Sequence, residues 1–145
     1  MNLRLNIAMV MLSLACCTAA SAQVAVIAHN DVPADSLTKI QLLDFYTGDA
    51  LSWPASELDV VVFDLKPKGE VKDAFYQYLG RSSSRMKSIW LKRKLAGDGD
   101  PPESFQTEEE VVHYVASTPG AVGFVHTSKV NDEVKILVRI TVDEG

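Results

Sequence analysis

Two short β-branched runs do most to decide what this chain can fold into. Val24-Ala25-Val26-Ile27-Ala28 and Val60-Val61-Val62-Phe63 are apolar at every position, not at every second one. That is the pattern of a strand covered on both faces. Such strands need helices packed against the sheet, and the stretch after the second run supplies one. Val71, Ala74, Phe75, Tyr78 and Leu79 fall at i, i+3, i+4, i+7 and i+8, one face of an amphipathic helix that Gly80 ends.

The remaining elements follow from caps and breakers. Ser36 is placed to cap a helix from Leu37 to about Tyr46, with Leu37, Ile40 and Leu43 on one face and Gly48 beyond its end. Ser82-Ser83-Ser84 offers N-cap hydroxyls to a further helix that turns Met86, Ile89 and Trp90 inward and runs to about Leu95. Gly97-Asp98-Gly99-Asp100-Pro101-Pro102 reads as loop. Thr107 and Glu110 form a capping box for a helix packed through Val111, Val112 and Val115, and Glu108-Glu109-Glu110 suits its first turn. Thr118-Pro119-Gly120 turns the chain into a strand at Val122-Gly123-Phe124-Val125. Asn131-Asp132 precedes a last strand, Val134 to Val142, in which Val134, Ile136, Val138 and Ile140 alternate with more polar neighbours. Strand, helix, strand, three helices, strand, strand predicts one α/β domain, with a small, mostly parallel sheet and an antiparallel edge.

Residues 1–22 read as a secretory signal. Arg4 is the only charge, Ile7 to Leu14 is a short apolar run, and Ala20-Ser21-Ala22 is a small-residue cleavage site before Gln23. A bilayer span needs about 20 apolar residues. The predicted mature domain is therefore 23–145, exported to the periplasm. Both cysteines, Cys16 and Cys17, fall in the removed segment, which leaves neither disulfide nor thiol chemistry. Leu14-Ala15-Cys16-Cys17 leaves a lipid-anchored form as the alternative.

Four pieces, in order, carry a resemblance to a known family. They are Leu37 to Gly48 (LTKIQLLDFYTG) with Trp53 following, Lys72-Asp73-Ala74-Phe75, Trp90 with Gly97 to Pro102, and Thr118-Pro119-Gly120-Ala121-Val122-Gly123-Phe124-Val125. Together they resemble the phosphate-type periplasmic substrate-binding proteins of ABC transporters. The resemblance implies a type 2 periplasmic-binding fold that binds a small oxyanion such as phosphate without catalysis, alongside a transporter or envelope partner. Full members clamp the anion between two lobes, whereas this chain has length for one, so pairing of two copies across the crevice is a further expectation. The family's phosphate-contacting Ser-Gly-Thr turn aligns with Gly69-Glu70-Val71, where both hydroxyls are missing.

Charge singles out the same region. Lys66 to Lys94 holds nine basic and two acidic residues, a local +7, and the rest of the mature chain carries −13. A field of this kind attracts an anion or an acidic protein, although solvated helix faces explain it equally well. Lys66, Lys68 and the Gly69 amide precede a helix, where free N–H groups favour an anion; these are the candidate ligand-binding residues. His29 and Asn30 follow strand one and His126 follows a later strand, so His29 and Asn30 join the candidates. If the two strands lie adjacent and parallel, the imidazoles of His29 and His126 face one crevice; otherwise they are surface histidines. The basic stretch Gly80-Arg81-Ser82-Ser83-Ser84-Arg85 needs no ligand, since N-capping explains it.

Enzyme readings lack support. The sequence has no nucleophile elbow, no phosphate-binding Walker pattern and no dinucleotide glycine fingerprint. No catalytic residue, metal set or cofactor is expected. The predicted export, the acidic balance and the lack of aromatics interleaved with the basic stretch argue against nucleic acid. The alternative function is a single-lobe interaction module that has lost its ligand and docks an acidic protein or envelope partner.

Overall fold

The computed structural model describes residues 22–142; the predicted signal segment therefore lies outside the described residues, apart from Ala22. The chain forms β1 (Ala22–His29), α1 (Lys39–Thr47), β2 (Val61–Leu65), α2 (Glu70–Leu79), α3 (Ser83–Ala96), β3 (Glu103–Phe105), α4 (Glu108–Ser117), β4 (Ala121–His126) and β5 (Val134–Val142). One five-stranded mixed sheet, in the order β3-β2-β4-β1-β5, is flanked by the helices. β2 is parallel to β3 and β4, whereas β1 is antiparallel to β4 and β5. Four strands thus share a direction. The opposed strand, β1, is second from the edge and not the edge strand the sequence suggested.

The first unbroken apolar run is explained by what covers it, whereas in the second Val60 to Val62 are only half-buried and not covered on both faces as expected. Val24 to Ala28 are all fully buried, because α2 and α4 both pack on β1. In β4 successive side chains part to opposite faces. On one face Phe124 stacks on Phe75 at 3.9 Å between centroids, and Tyr46 meets Phe75 edge-on at 4.7 Å. On the other, Gly123 lets α4 come close, since a Cβ there would lie 2.8 Å from Val111 Cγ1. Gly120 has a positive φ of 80° and sits against the Asp59 carbonyl. Its own carbonyl accepts a 3.0 Å hydrogen bond from the indole of the buried Trp53.

Several local expectations are corrected. Thr38, not Ser36, caps α1: its hydroxyl accepts from the Gln41 N–H at 3.2 Å, and Gln41 Oε1 accepts from the Thr38 N–H at 3.0 Å. Gln41 lies three residues on, so the reciprocal box closes only from Thr38. With the start moved, the buried face is Leu42, Phe45 and Tyr46, and Ile40 is exposed. On α3 only Met86 is buried, while Ile89 and Trp90 are half-buried. Trp90 donates to the Tyr46 carbonyl at 2.9 Å and Arg93 pairs with Asp49, which ties α3 to the end of α1. β3, absent from the expected order, pairs with β2 through Phe63↔Glu103 to Leu65↔Phe105. In β5 the expected alternation breaks at Leu137, which is buried where the β1 register shifts between Val26/Val138 and Ile27/Ile136. This is a bulge, with one strand carrying an extra residue.

Candidate functional site

The turn Lys66-Pro67-Lys68-Gly69 leaves the C-terminal end of β2 and enters α2. The Lys66 N–H donates to the Phe105 carbonyl at 2.8 Å, which fixes the turn beside the end of β3. Gly69 is extended, and its carbonyl accepts the first helical bond, from the Asp73 N–H at 3.0 Å. No side chain caps α2, so its first amides are free of side-chain acceptors. Lys68, Gly69 and Glu70 share a depression of about 440 Å³ with Gln106 to Glu109 at the start of α4. Two helix N-termini therefore border one concavity.

The two ends differ chemically. That of α4 is engaged within the fold: Thr107 Oγ1 accepts from the Glu110 N–H at 3.1 Å, and Glu108 accepts from the His126 N–H. Glu109 pairs with Lys129 at 2.7 Å, which holds the Glu109 carboxyl below its ordinary value and Lys129 above its own. At α2 the first turn itself carries Glu70 and Asp73, and Glu108 and Glu109 border the same depression from α4.

A second concavity, a groove of about 480 Å³, opens on the other side of the Lys66–Lys68 turn, between α2, α3 and the Pro101-Pro102 approach to β3. At its floor Lys72, 9% exposed, lies 3.7 Å from Asp64. Burial pushes the Asp64 carboxyl up, and Lys72 and a hydrogen bond from Tyr76 only partly offset that. Burial, with the Asp64 charge second, pushes the Tyr76 phenol up as well.

Of the residues the sequence pointed to, Lys66, Lys68 and Gly69 come together at this end. His29 and Asn30 lie at the opposite end of the sheet. β1 and β4 are adjacent but antiparallel, with Val24 opposite His126 and Ala28 opposite Val122, so the two imidazoles do not share a crevice. His29 Nδ1 accepts from the Asp31 N–H at 3.1 Å, and Asn30 donates to the Glu133 carbonyl at 3.0 Å. His126 Nδ1 accepts from the Ser128 N–H at 3.1 Å, opening a 3₁₀ turn. Among the described residues no three His, Cys, Asp or Glu side chains could hold a metal ion, and no helix is long and apolar enough to cross a membrane. Sequence reasoning missed Asp64, Tyr76 and Lys87 around the groove. The local excess of lysine was visible, but not that Lys87 and Lys94 would converge with Lys66 and Lys68 on one mouth.

No family model matches the chain, and no curated protein does. Solved structures do match. One, from Clostridium perfringens, is described as a phosphate ABC transporter substrate-binding protein with bound phosphate; it is 21% identical, with a TM-score of 0.65 over 80% of this chain and 45% of its own. An ABC-type phosphate transport receptor from Vibrio cholerae is 19% identical, with a TM-score of 0.64 and coverages of 80% and 46%. PstS from Borrelia burgdorferi is 10% identical, with a TM-score of 0.58 and coverages of 81% and 47%. The chain spans less than half the length of each. Its five-stranded sheet and flanking helices have the fold of a single lobe of these periplasmic-binding proteins.

Proposed function

We propose that this lobe binds a small oxyanion such as phosphate, without catalysis, at the turn from Lys66 to Gly69. The observation that carries the reading is the N-terminus of α2, which no side chain caps and which two lysines precede at the end of a sheet strand. Amides and helix dipole there favour negative charge. The fold supports it, since its neighbours are described as phosphate-binding transport proteins. Gly69 and Val71 lack the hydroxyls of the Ser-Gly-Thr turn and Glu70 adds a charge of the wrong sign for an anion, so the site is weaker than one built from neutral donors. His29 and Asn30 take no part in this site. By the same reading the protein acts in the periplasm after loss of residues 1–22, and its partner is an ABC transporter.

Calorimetric titration of residues 22–145 with phosphate, at low and moderate salt, tests the proposal. One-site binding that survives moderate salt and weakens in Lys66→Ala/Lys68→Ala is expected. Heat that vanishes with salt, as exposed charge effects do, refutes it. A second reading rests on α3, where Leu91 and Leu95 are exposed among Lys87, Lys92 and Lys94. There the lobe is an interaction module that docks an acidic protein. Pairing of two copies around the anion is part of the first reading. Light scattering with and without phosphate checks it.

A further inference from the structure

The groove between α2, α3 and Pro101-Pro102 is distinct from the turn at Gly69, although Lys66 and Lys68 border it too. We propose that it is a binding site for a small organic phosphate, a phosphomonoester head on an apolar body.

The charge argument comes from convergence. Lys66 and Lys68 reach the groove from the end of β2, and Lys87 and Lys94 from α3. None of these four makes an ion pair among the described residues. The fifth lysine, Lys72, is different: it is buried on the floor and neutralised by Asp64 at 3.7 Å. The fold therefore gathers four uncompensated cations from two separate segments around one mouth, with a neutral pair beneath. A doubly charged head answers that field better than a single carboxylate does.

The walls settle the rest of the ligand. Met86, Trp90, Leu91, Pro101 and Pro102 line the groove below the lysines. Leu91 is 59% exposed and Trp90 only half-buried, so this apolar surface faces the open groove. A bare oxyanion would touch none of it, and at about 480 Å³ the space falls in the range of organic-ligand sites. Each methylene buried against these walls is worth about a fourfold gain in affinity. Hydroxyls of Ser83 and Ser104 at the lining supply donors for phosphate oxygens.

The test uses residues 22–145, which contain every strand and helix described. Hexyl phosphate, inorganic phosphate and 1-hexanol are titrated separately, by calorimetry and by tryptophan emission. Trp53 is fully buried elsewhere, so Trp90 reports occupancy of the groove. Hexyl phosphate is expected to bind one to one, at least tenfold more tightly than phosphate, with a change in Trp90 emission that hexanol does not give. Lys87→Ala/Lys94→Ala, both exposed positions, should cost at least tenfold for hexyl phosphate and leave phosphate binding at the α2 turn unchanged. Leu91→Ser should cost a few-fold. Hexyl phosphate that binds no better than phosphate, or that is indifferent to the loss of Lys87 and Lys94, overturns the groove. If hexyl phosphate binds as described and inorganic phosphate does not, the groove stands and the proposed function at Gly69 falls. The reverse result removes the groove and leaves that function standing.

Discussion

Replacing Gly123 by alanine sets two opposing effects against each other in the middle of β4. Removing a strand glycine normally stabilises by about 0.4–1 kcal/mol, because the unfolded chain loses freedom. Here the new methyl would sit 2.8 Å from Val111 Cγ1 and 3.2 Å from Val115 Cγ2. Both neighbours are β-branched and stiff within α4, and both are buried, so they yield only if the helix lifts from the sheet. Overpacking of this kind costs about 1–3 kcal/mol, and the expected net is a destabilisation of about 1–2 kcal/mol. For a domain of this size that lowers the thermal midpoint by several degrees. Urea unfolding of Gly123→Ala, Val111→Ala and the double variant measures it. Removing Val111 Cγ1 makes room for the methyl, so the double variant should be less destabilised than the sum of the singles, with a coupling of at least about 0.5 kcal/mol. A Gly123→Ala protein as stable as the parent, or strictly additive singles, would refute the close-approach argument.

Four further predictions rest on hydrogen bonds and ion pairs described above. Lys72→Met strands the Asp64 carboxylate and should cost about 2 kcal/mol, less than a fully enclosed pair because Asp64 keeps some exposure; adding Asp64→Asn should recover most of that. Because burial raises the folded-state value of Asp64, the folded protein takes up its proton before the unfolded chain does. The penalty is then present above the raised value and relieved as pH falls through it toward the ordinary carboxylate range, and Asp64→Asn should flatten the stability profile across that window. Thr38→Ala removes the α1 capping box and should cost about 1 kcal/mol by denaturant unfolding, while Trp53→Phe removes one of the two donors to the buried Gly120 carbonyl, the Val61 N–H remaining, and should cost about 1 kcal/mol for that hydrogen bond.

What the sequence made legible is what local pattern determines. The buried run at 24–28, the helix periodicity at 71–79 and the valines of α4 pointed to elements that formed, because each carries its burial in its own spacing, whereas the run at 60–63 formed β2 with Val60 to Val62 only half-buried. β3 was invisible: three residues after two prolines have no period, and Glu103–Phe105 become a strand only because β2 offers an open parallel edge. The inward face of α3 was misjudged because its spacing cannot say that Trp90 and Arg93 tie the helix to the end of α1. Strand direction was equally beyond local pattern, and it is what separates His29 from His126. The candidate turn at Lys66–Gly69 was readable from lysines before a helix, whereas the groove needed two segments to be folded together.

The placement of β1 also governs the order in which the chain becomes a protein. Its neighbours on both sides, β4 and β5, are the last two strands in chain order among the described residues, and its first pair joins Ala22 to Val142. The centre of the hydrophobic layer therefore cannot close until the residues through β5 are available. Such sequence-distant pairing slows folding, since loop-closure entropy must be met before the contacts form. Until β4 and β5 arrive, Val24 to Ala28 remain an uncovered aggregation-prone segment, a period during which a chaperone has a defined target and a stalled chain has a defined liability.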